Sequence, residues 1–301
     1  MIELSRVGLG TNNFGRRLDR AHSIDVVHAA LDAGLTHIDT ANIYGGGESE
    51  RFIGEALEGR RSDAFLATKF GMGEGGNGSP SYVREALEAS LGSLRTDYVD
   101  LLYYHRPDGV TPIAETVGAM HELVEQGKVR HVGVSNMDAA QLREAAAAAP
   151  VAVVQNRYSL LDRGAEDEEL PACAELGIGF VPYFPLASGL LTGKYRPGEP
   201  APPGTRLDGQ QVDDETYDRI AALEHFAAER GRSLLELAFG ALASRPEIVS
   251  VIAGATSPEQ VRSNAAAASW RLTPQELASL PSNRRGAGIL TRSSRDSRAG
   301  T

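Results

Sequence analysis

Short apolar runs alternate with longer stretches of three- and four-residue apolar spacing from one end of the chain to the other. The short runs predict strands at Arg6–Leu9, Thr36–Asp39, Ala64–Lys69, Tyr98–Tyr103, Val129–Val134, Val151–Gln155, Gly179–Tyr183 and Ile248–Ile252. Between them, patterns such as Ile24-Val27-His28-Leu31 and Val83-Leu87-Leu91-Leu94 put apolar side chains on one face of a helix. Ser79-Pro80, Ser257-Pro258 and Asp138 read as helix starts, and Gly34, Gly127 and Gly177 as helix ends just ahead of the next strand. Uninterrupted strand–helix units predict a parallel sheet covered by helices. Eight of them in 301 residues fit an α/β fold closed into a (β/α)8 barrel, a single domain spanning residues 1–282.

A doubly wound open sheet is the competing arrangement, and it needs a phosphate-binding fingerprint after its first strand. That strand runs into Gly8-Leu9-Gly10-Thr11-Asn12-Asn13, which lacks the third glycine. A formal G-x-G-x-x-G does occur at Gly71–Gly76, with Asp97 about 20 residues on. Its glycines continue to Gly78 before Ser79-Pro80 opens the helix, so the third glycine cannot aim helix amides at a pyrophosphate. The run reads as a flexible loop. Two other stretches break the pattern: Pro197–Asp213, rich in Pro and Gly and long enough for a lid or binding loop, and residues 283–301, a polar Arg- and Ser-rich tail able to fold over a ligand.

Composition narrows the picture modestly. With 42% hydrophobic and 23% charged residues and a net charge of −10, the chain looks like a soluble globular protein rather than a nucleic-acid binder. No apolar run approaches the ~20 residues of a membrane span, and the opening MIELSRVGLG has no signal-peptide pattern. A cytoplasmic location is the expectation. Cys173 is the only cysteine and reads as a small core residue; no His and carboxylate spacing suggests a metal site.

In a barrel of this kind chemistry sits where the strands end. Those positions hold Thr11, Asp39, Lys69, His105, Ser135 with Asn136, Gln155 with Asn156, Tyr183 and Gly254, so apolar strands repeatedly finish on polar groups. A phenol with an ordinary pKa near ~10 is a poor acid at neutral pH, and an adjacent ammonium lowers it. Lys69 is placed to do this for Tyr44, five residues beyond Asp39, with Asp39 steadying the lysine. His105 can donate to a substrate oxygen. Such a set suits carbonyl–alcohol interconversion, while Ser135, Asn136 and Gln155 suit a carboxamide and Tyr183 a stacked ring.

The segments GLGTNNFG, HIDTANIYGGGESERFIGEAL, ATKFG, DYVDLLYYHRPD, VRHVGVSN, VVQNRYSLLDR, PYFPLASGLLTGKY and VIAGATSPEQVRSN resemble the aldo-keto reductase family in order and spacing, from Gly8 to about Leu280. The resemblance implies a barrel that binds a nicotinamide dinucleotide without a doubly wound domain. It carries the family's catalytic set onto Asp39, Tyr44, Lys69 and His105. It assigns cofactor contacts to Gly10, Thr11 and Asn12, to Ser135, Asn136, Gln155 and Tyr183 for the nicotinamide, and to Leu186, Ser188, Gly189, Leu191 and Lys194 for the pyrophosphate. Gly254, Thr256, Gln260 and Asn264 fall at the adenosine. Two departures stand out: Phe184 replaces a common serine, and Ala255-Thr256-Ser257 lacks the Lys or Arg that usually meets the NADPH ribose phosphate. Arg262 or the tail arginines are the available substitutes. The expectation is NADPH-dependent reduction of an aldehyde or ketone. NAD-dependent oxidation of a sugar or other alcohol is one alternative, and a cofactor-sensing regulatory subunit with slow turnover another. The sequence leaves the substrate and the oligomeric state open.

Overall fold

The computed structural model describes residues 2–73 and 77–281. Its eight strands are β1 (Val7–Gly10), β2 (His37–Asp39), β3 (Phe65–Phe70), β4 (Val99–Tyr104), β5 (Val129–Ser135), β6 (Val153–Arg157), β7 (Gly179–Tyr183) and β8 (Val251–Gly254). Every neighbour pair is parallel, in the order β7-β6-β5-β4-β3-β2-β1-β8. A parallel bridge between Phe180 and Ile248 all but closes the ring. The last expected strand therefore begins later than its apolar run: Ile248 reaches only Phe180, and pairing with β1 starts at Val251.

Helices α1 (Arg20–Asp32), α2 (Glu48–Ala56), α3 (Pro80–Leu94), α4 (Ile113–Glu125), α5 (Ala139–Ala148) and α6 (Glu169–Leu176) follow the first six strands. Helices α7 (Asp214–Ala228) and α8 (Leu234–Ala243) both lie between β7 and β8, and α9 (Pro258–Ala267) and α10 (Pro274–Ala278) complete the described chain. Asp138 starts α5 with a reciprocal capping box through Gln141, and Ser257 caps α9 through the Gln260 amide. Ser79 does precede α3, but its hydroxyl donates to Asn77 Oδ1 at 2.6 Å instead of capping a helix amide. Among the described residues no helix is long and apolar enough to cross a membrane. The tail expected at 283–301 and residues 74–76 of the glycine run lie outside the described residues.

The main core lies between strands and helices, and Cys173 is buried in it, as expected of a small apolar residue. Inside the ring, Ala67, Leu101, Tyr103, Val153, Val181 and Ile252 fill the middle, with Ile2, Leu4 and Phe65 packed against them. Gly133 makes room for Tyr103, since a Cβ there would lie 2.6 Å from the tyrosine ring. A second apolar cluster, including Leu190, Leu191, Leu207 and Trp270, underlies the long β7 loop. Leu207 thus ties the Pro- and Gly-rich stretch to the body, each such leucine contributing about 1.5–3 kcal/mol.

Parallel registration brings the polar strand ends to one rim. Asp39 lies opposite Gly10 and Ala67, Lys69 opposite Tyr103, and Ser135 opposite Gln155. The turn that delivers Tyr44 to that rim continues through Gly45, Gly46 and Gly47 at φ values of 59°, 68° and 95°. A Cβ on Gly45 would meet the Phe14 carbonyl oxygen at 2.4 Å. Gly45→Ala should therefore combine left-handed strain with a backbone clash and destabilise the fold by about 2–4 kcal/mol. A shifted urea unfolding midpoint checks this; an unchanged midpoint contradicts it.

Candidate active site

At the rim, the side chains that the strand ends deliver line one cavity of about 960 Å³. Asp39, Tyr44 and His105 face it together with Gly10, Thr11, Asn12, Ser135, Asn136, Gln155, Tyr183, Leu186, Ser188, Gly189, Lys194, Gly254, Thr256, Gln260 and Asn264. Two expected residues do not. Lys69 is fully buried behind Asp39, and Leu191 is fully buried in the apolar cluster beneath the β7 loop. Asn156, also at a strand end, is turned aside, its amide donating to the Met137 carbonyl at 2.7 Å.

The centre is a buried ion pair. Lys69 Nζ donates to Asp39 Oδ1 at 2.5 Å and to the Thr40 carbonyl at 2.9 Å, while Gln155 Nε2 donates to Asp39 Oδ2 at 2.9 Å. A hydroxyl network holds the same strand end: Thr11 Oγ1 donates to the Asp39 carbonyl, and Ser49 links Thr11 to Thr40. Burial works against the Lys69 ammonium, but the Asp39 charge, aided by the Tyr44 phenol, outweighs it and holds the lysine above its ordinary pKa. The ammonium lies 5.3 Å from the Tyr44 ring centroid.

Tyr44 departs from the expectation in one respect. Burial raises its pKa, and although Lys69 lowers it by charge and side-chain hydrogen bonding, the net direction is upward. Desolvation of a phenolate here exceeds what a lysine already neutralised by Asp39 can return. His105 packs edge-on to Tyr44, with ring centroids 6.0 Å apart. Burial, then the charges of Lys69 and Arg106, pull His105 down to about 3, so it is neutral at physiological pH.

The residues expected around a carboxamide are bound to one another. Asn136 donates to the His105 carbonyl at 2.9 Å and to Ser135 Oγ at 3.1 Å, and accepts from the Tyr183 hydroxyl at 2.7 Å. Ser135 Oγ donates to the Gln155 carbonyl at 2.7 Å. Backbone strain gathers nearby. Of the five described non-glycine residues with positive φ, Asn136, Phe184, Ala187 and Ser188 stand on the β5 and β7 loops of this rim. With Gly189 (φ 96°), Ala187 and Ser188 form a left-handed bend of the kind that gathers backbone amides around an anion. Lys194 packs directly on Gly189.

Residue-by-residue reading missed Arg206. The Pro197–Asp213 loop carries it into the cavity, where it donates to Asn12 Oδ1 at 2.7 Å and Asn13 Oδ1 at 3.3 Å and lies 5.2 Å from the Phe184 ring centroid. Loop composition signalled a binding element; nothing local singled out which residue would turn inward. At the end of the cavity expected to take the adenosine, Arg262 pairs with Glu259 at 3.3 Å and does not line the cavity. Thr256 donates to Gln260 Oε1 through both its amide and its hydroxyl. Among the described residues no cluster of three His, Cys, Asp or Glu side chains is placed to hold a metal.

A parallel barrel supports many chemistries, and comparison with known proteins identifies the class of this one. Residues 6–283 match the model of the aldo/keto reductase family, to which the chain belongs. It is 34% identical over 297 residues to "Probable aldo-keto reductase 1" of Glycine max, covering 93% of this chain and 85% of that one. It is 37% identical over 274 residues to a "Probable voltage-gated potassium channel subunit beta" of Oryza sativa subsp. japonica, covering 83% of each. The solved structure of a glycerol dehydrogenase from Gluconobacter oxydans superposes with a TM-score of 0.83 at 29% identity, covering 95% of this chain and 96% of that one. The chain is thus an NAD(P)H-dependent oxidoreductase acting on carbonyls or alcohols.

Two imidazoles near the barrel axis make stability depend on pH. His37, hydrogen-bonded to Ser250 inside the ring, is pulled down by burial to about 4, and His105 to about 3. Both prefer the neutral form when folded, so the unfolded chain takes up their protons first as the pH falls. The stability they contribute is complete above about pH 6.5 and is lost progressively toward pH 4 and below. His37→Asn should flatten part of the fall in unfolding free energy between pH 7 and 4, by about 2–4 kcal/mol. Equal slopes for both proteins would contradict this.

Proposed function

We propose that the chain reduces an aldehyde or ketone with NADPH, Tyr44 supplying the proton to the carbonyl oxygen. The observation that carries this reading is the cavity-facing Tyr44 backed by the buried Lys69–Asp39 pair. The left-handed bend at Ala187–Gly189 with Lys194 against it suits a pyrophosphate, and the Tyr183 ring beside Ser135, Asn136 and Gln155 suits a nicotinamide. When bound there, the reduced cofactor supplies the hydride. The chain's own residues do the rest. Neutral His105 orients the carbonyl by hydrogen bonding. Tyr44, its phenol kept protonated by burial, hands over its proton. Lys69 stabilises the phenolate left behind, and Asp39 and Gln155 hold Lys69 in place. A cytoplasmic setting is part of the same reading.

A second reading has its own support. Arg262 is committed to Glu259 and Thr256 to Gln260, so among the described residues no cation faces the adenosine end where a ribose phosphate would lie. NADH, and alcohol oxidation with NAD, fit that end as well. Oxidation requires the phenolate, so its rate should climb with pH toward and beyond the ordinary phenol value near ~10, while reduction is level around neutrality. The channel-subunit name borne by the rice relative raises a sensing role, but the intact Asp39, Tyr44, Lys69 and His105 set favours turnover.

Tyr44→Phe should lower kcat for an aldehyde by about 10²–10⁴-fold while leaving cofactor affinity, read by protein fluorescence quenching, within about twofold. Unchanged turnover would end the proposed role of Tyr44. Titrating NADPH and NADH in parallel decides the cofactor: tighter NADPH supports the first reading, equal or tighter NADH the second.

A further inference from the structure

The cavity's charge is opposite to that of the chain. The whole sequence carries −10, yet the formal charges lining the cavity are Arg17, Arg106, Lys194 and Arg206 against Asp39 alone. Asp39 is already spoken for, one oxygen by Lys69 and the other by Gln155. Lys194 sits on Gly189 at the bend suited to a pyrophosphate. Arg206 is held by two neutral amide oxygens and the Phe184 ring.

Arg17 and Arg106 remain. Both are exposed at the rim, and neither makes a side-chain hydrogen bond or ion pair with any described residue. Elsewhere surface arginines commonly find carboxylates, as in Arg20–Glu55, Arg84–Glu122 and Arg143–Glu175. Arg17 also crowds another cation: its charge, with that of Arg16, adds to burial in lowering the Arg206 pKa. Like charges gathered in a cleft focus a positive potential and call for an anion.

The cofactor's phosphates do not account for both. The bend and Lys194 are on the β7 loop, whereas Arg106 is on the β4 loop, next in sequence to His105, where the proposed function places the reacting carbonyl. A group held by Arg106 therefore belongs to the molecule bearing that carbonyl. Guanidinium presents a planar fork of donors that matches a carboxylate, and it cannot be switched off by pH.

We propose that the carbonyl substrate carries a carboxylate, with Arg106 its specificity-determining anchor and Arg17 adding to the field that draws it in. This rests on the carbonyl-reduction reading above. The substrate class is then an oxo-acid or an acid semialdehyde rather than a neutral sugar or an apolar ketone. Ile43, Met72 and Phe184, apolar residues on the same rim, would pack against the carbon chain between the two polar ends.

The test compares 4-carboxybenzaldehyde with its methyl ester, using the full chain and the reduced cofactor at pH 7. The acid should be favoured in kcat/KM by about tenfold or more, as a charge-assisted hydrogen bond warrants, and rising salt should shrink that preference. Arg106→Gln should remove most of it through KM, Arg17→Gln should reduce it, and Arg106→Lys should restore part. Brisk turnover with no preference for the acid overturns this inference and leaves carbonyl reduction standing. A preference that survives in both glutamine variants overturns it too. No turnover of these or of simple aldehydes overturns the functional reading and this inference with it.

Discussion

The rim is organised around two charges inside the barrel. Lys69 and Asp39 lie almost wholly out of water, and the ion pair at 2.5 Å has three further partners in Thr40, Gln155 and the Tyr44 phenol. Desolvating two charges costs several kcal/mol per ion, recovered only where geometry and additional hydrogen bonds are good. A packed apolar pair would serve stability as well. The proposed function gives the charges a purpose, since the pair holds a cation 5.3 Å from the Tyr44 ring centroid.

Other features follow from that placement. Lys69 is held by Asp39 and the Thr40 carbonyl, and the turn that sets Tyr44 beside it runs on through three left-handed glycines, the first of them packed against the Phe14 carbonyl. The ammonium also acts on its other neighbour: together with burial it keeps His105 neutral, able to donate or accept but not to carry charge. Tyr44 feels burial and the cation as opposing forces, and burial wins. In the proposed function, a phenol kept protonated is ready to donate, and Lys69 limits the cost of the phenolate that remains.

Much of this was legible in the residues. Strands ending in Asp39, Lys69, His105 and Gln155 announced a shared rim, because in a parallel barrel the carboxyl ends of all strands face one way. What escaped reading depended on how side chains fill space. Leu191 sits in a segment suited to a cofactor, yet its side chain completes a leucine cluster. Lys69 was legible as a strand-end ammonium but not as one sealed behind Asp39. The balance between burial and charge at Tyr44 has no sequence signature, since it depends on how closely the surrounding loops pack. Arg206 came from a loop whose length and composition announced a lid or binding element but not which residue would turn inward.

The Lys69 charge reduces the cost of ionising Tyr44 inside a desolvated site. The direct measurement is the Tyr44 titration, followed by NMR of ¹³Cζ-labelled tyrosine, in the parent chain and in Lys69→Met, with Tyr44→Phe assigning the resonance. The parent phenol should ionise above the ordinary value near ~10, and the Lys69→Met phenol higher still. A Tyr44 that titrates at the same pH or lower once the lysine is gone would show that Lys69 gives the phenolate no support.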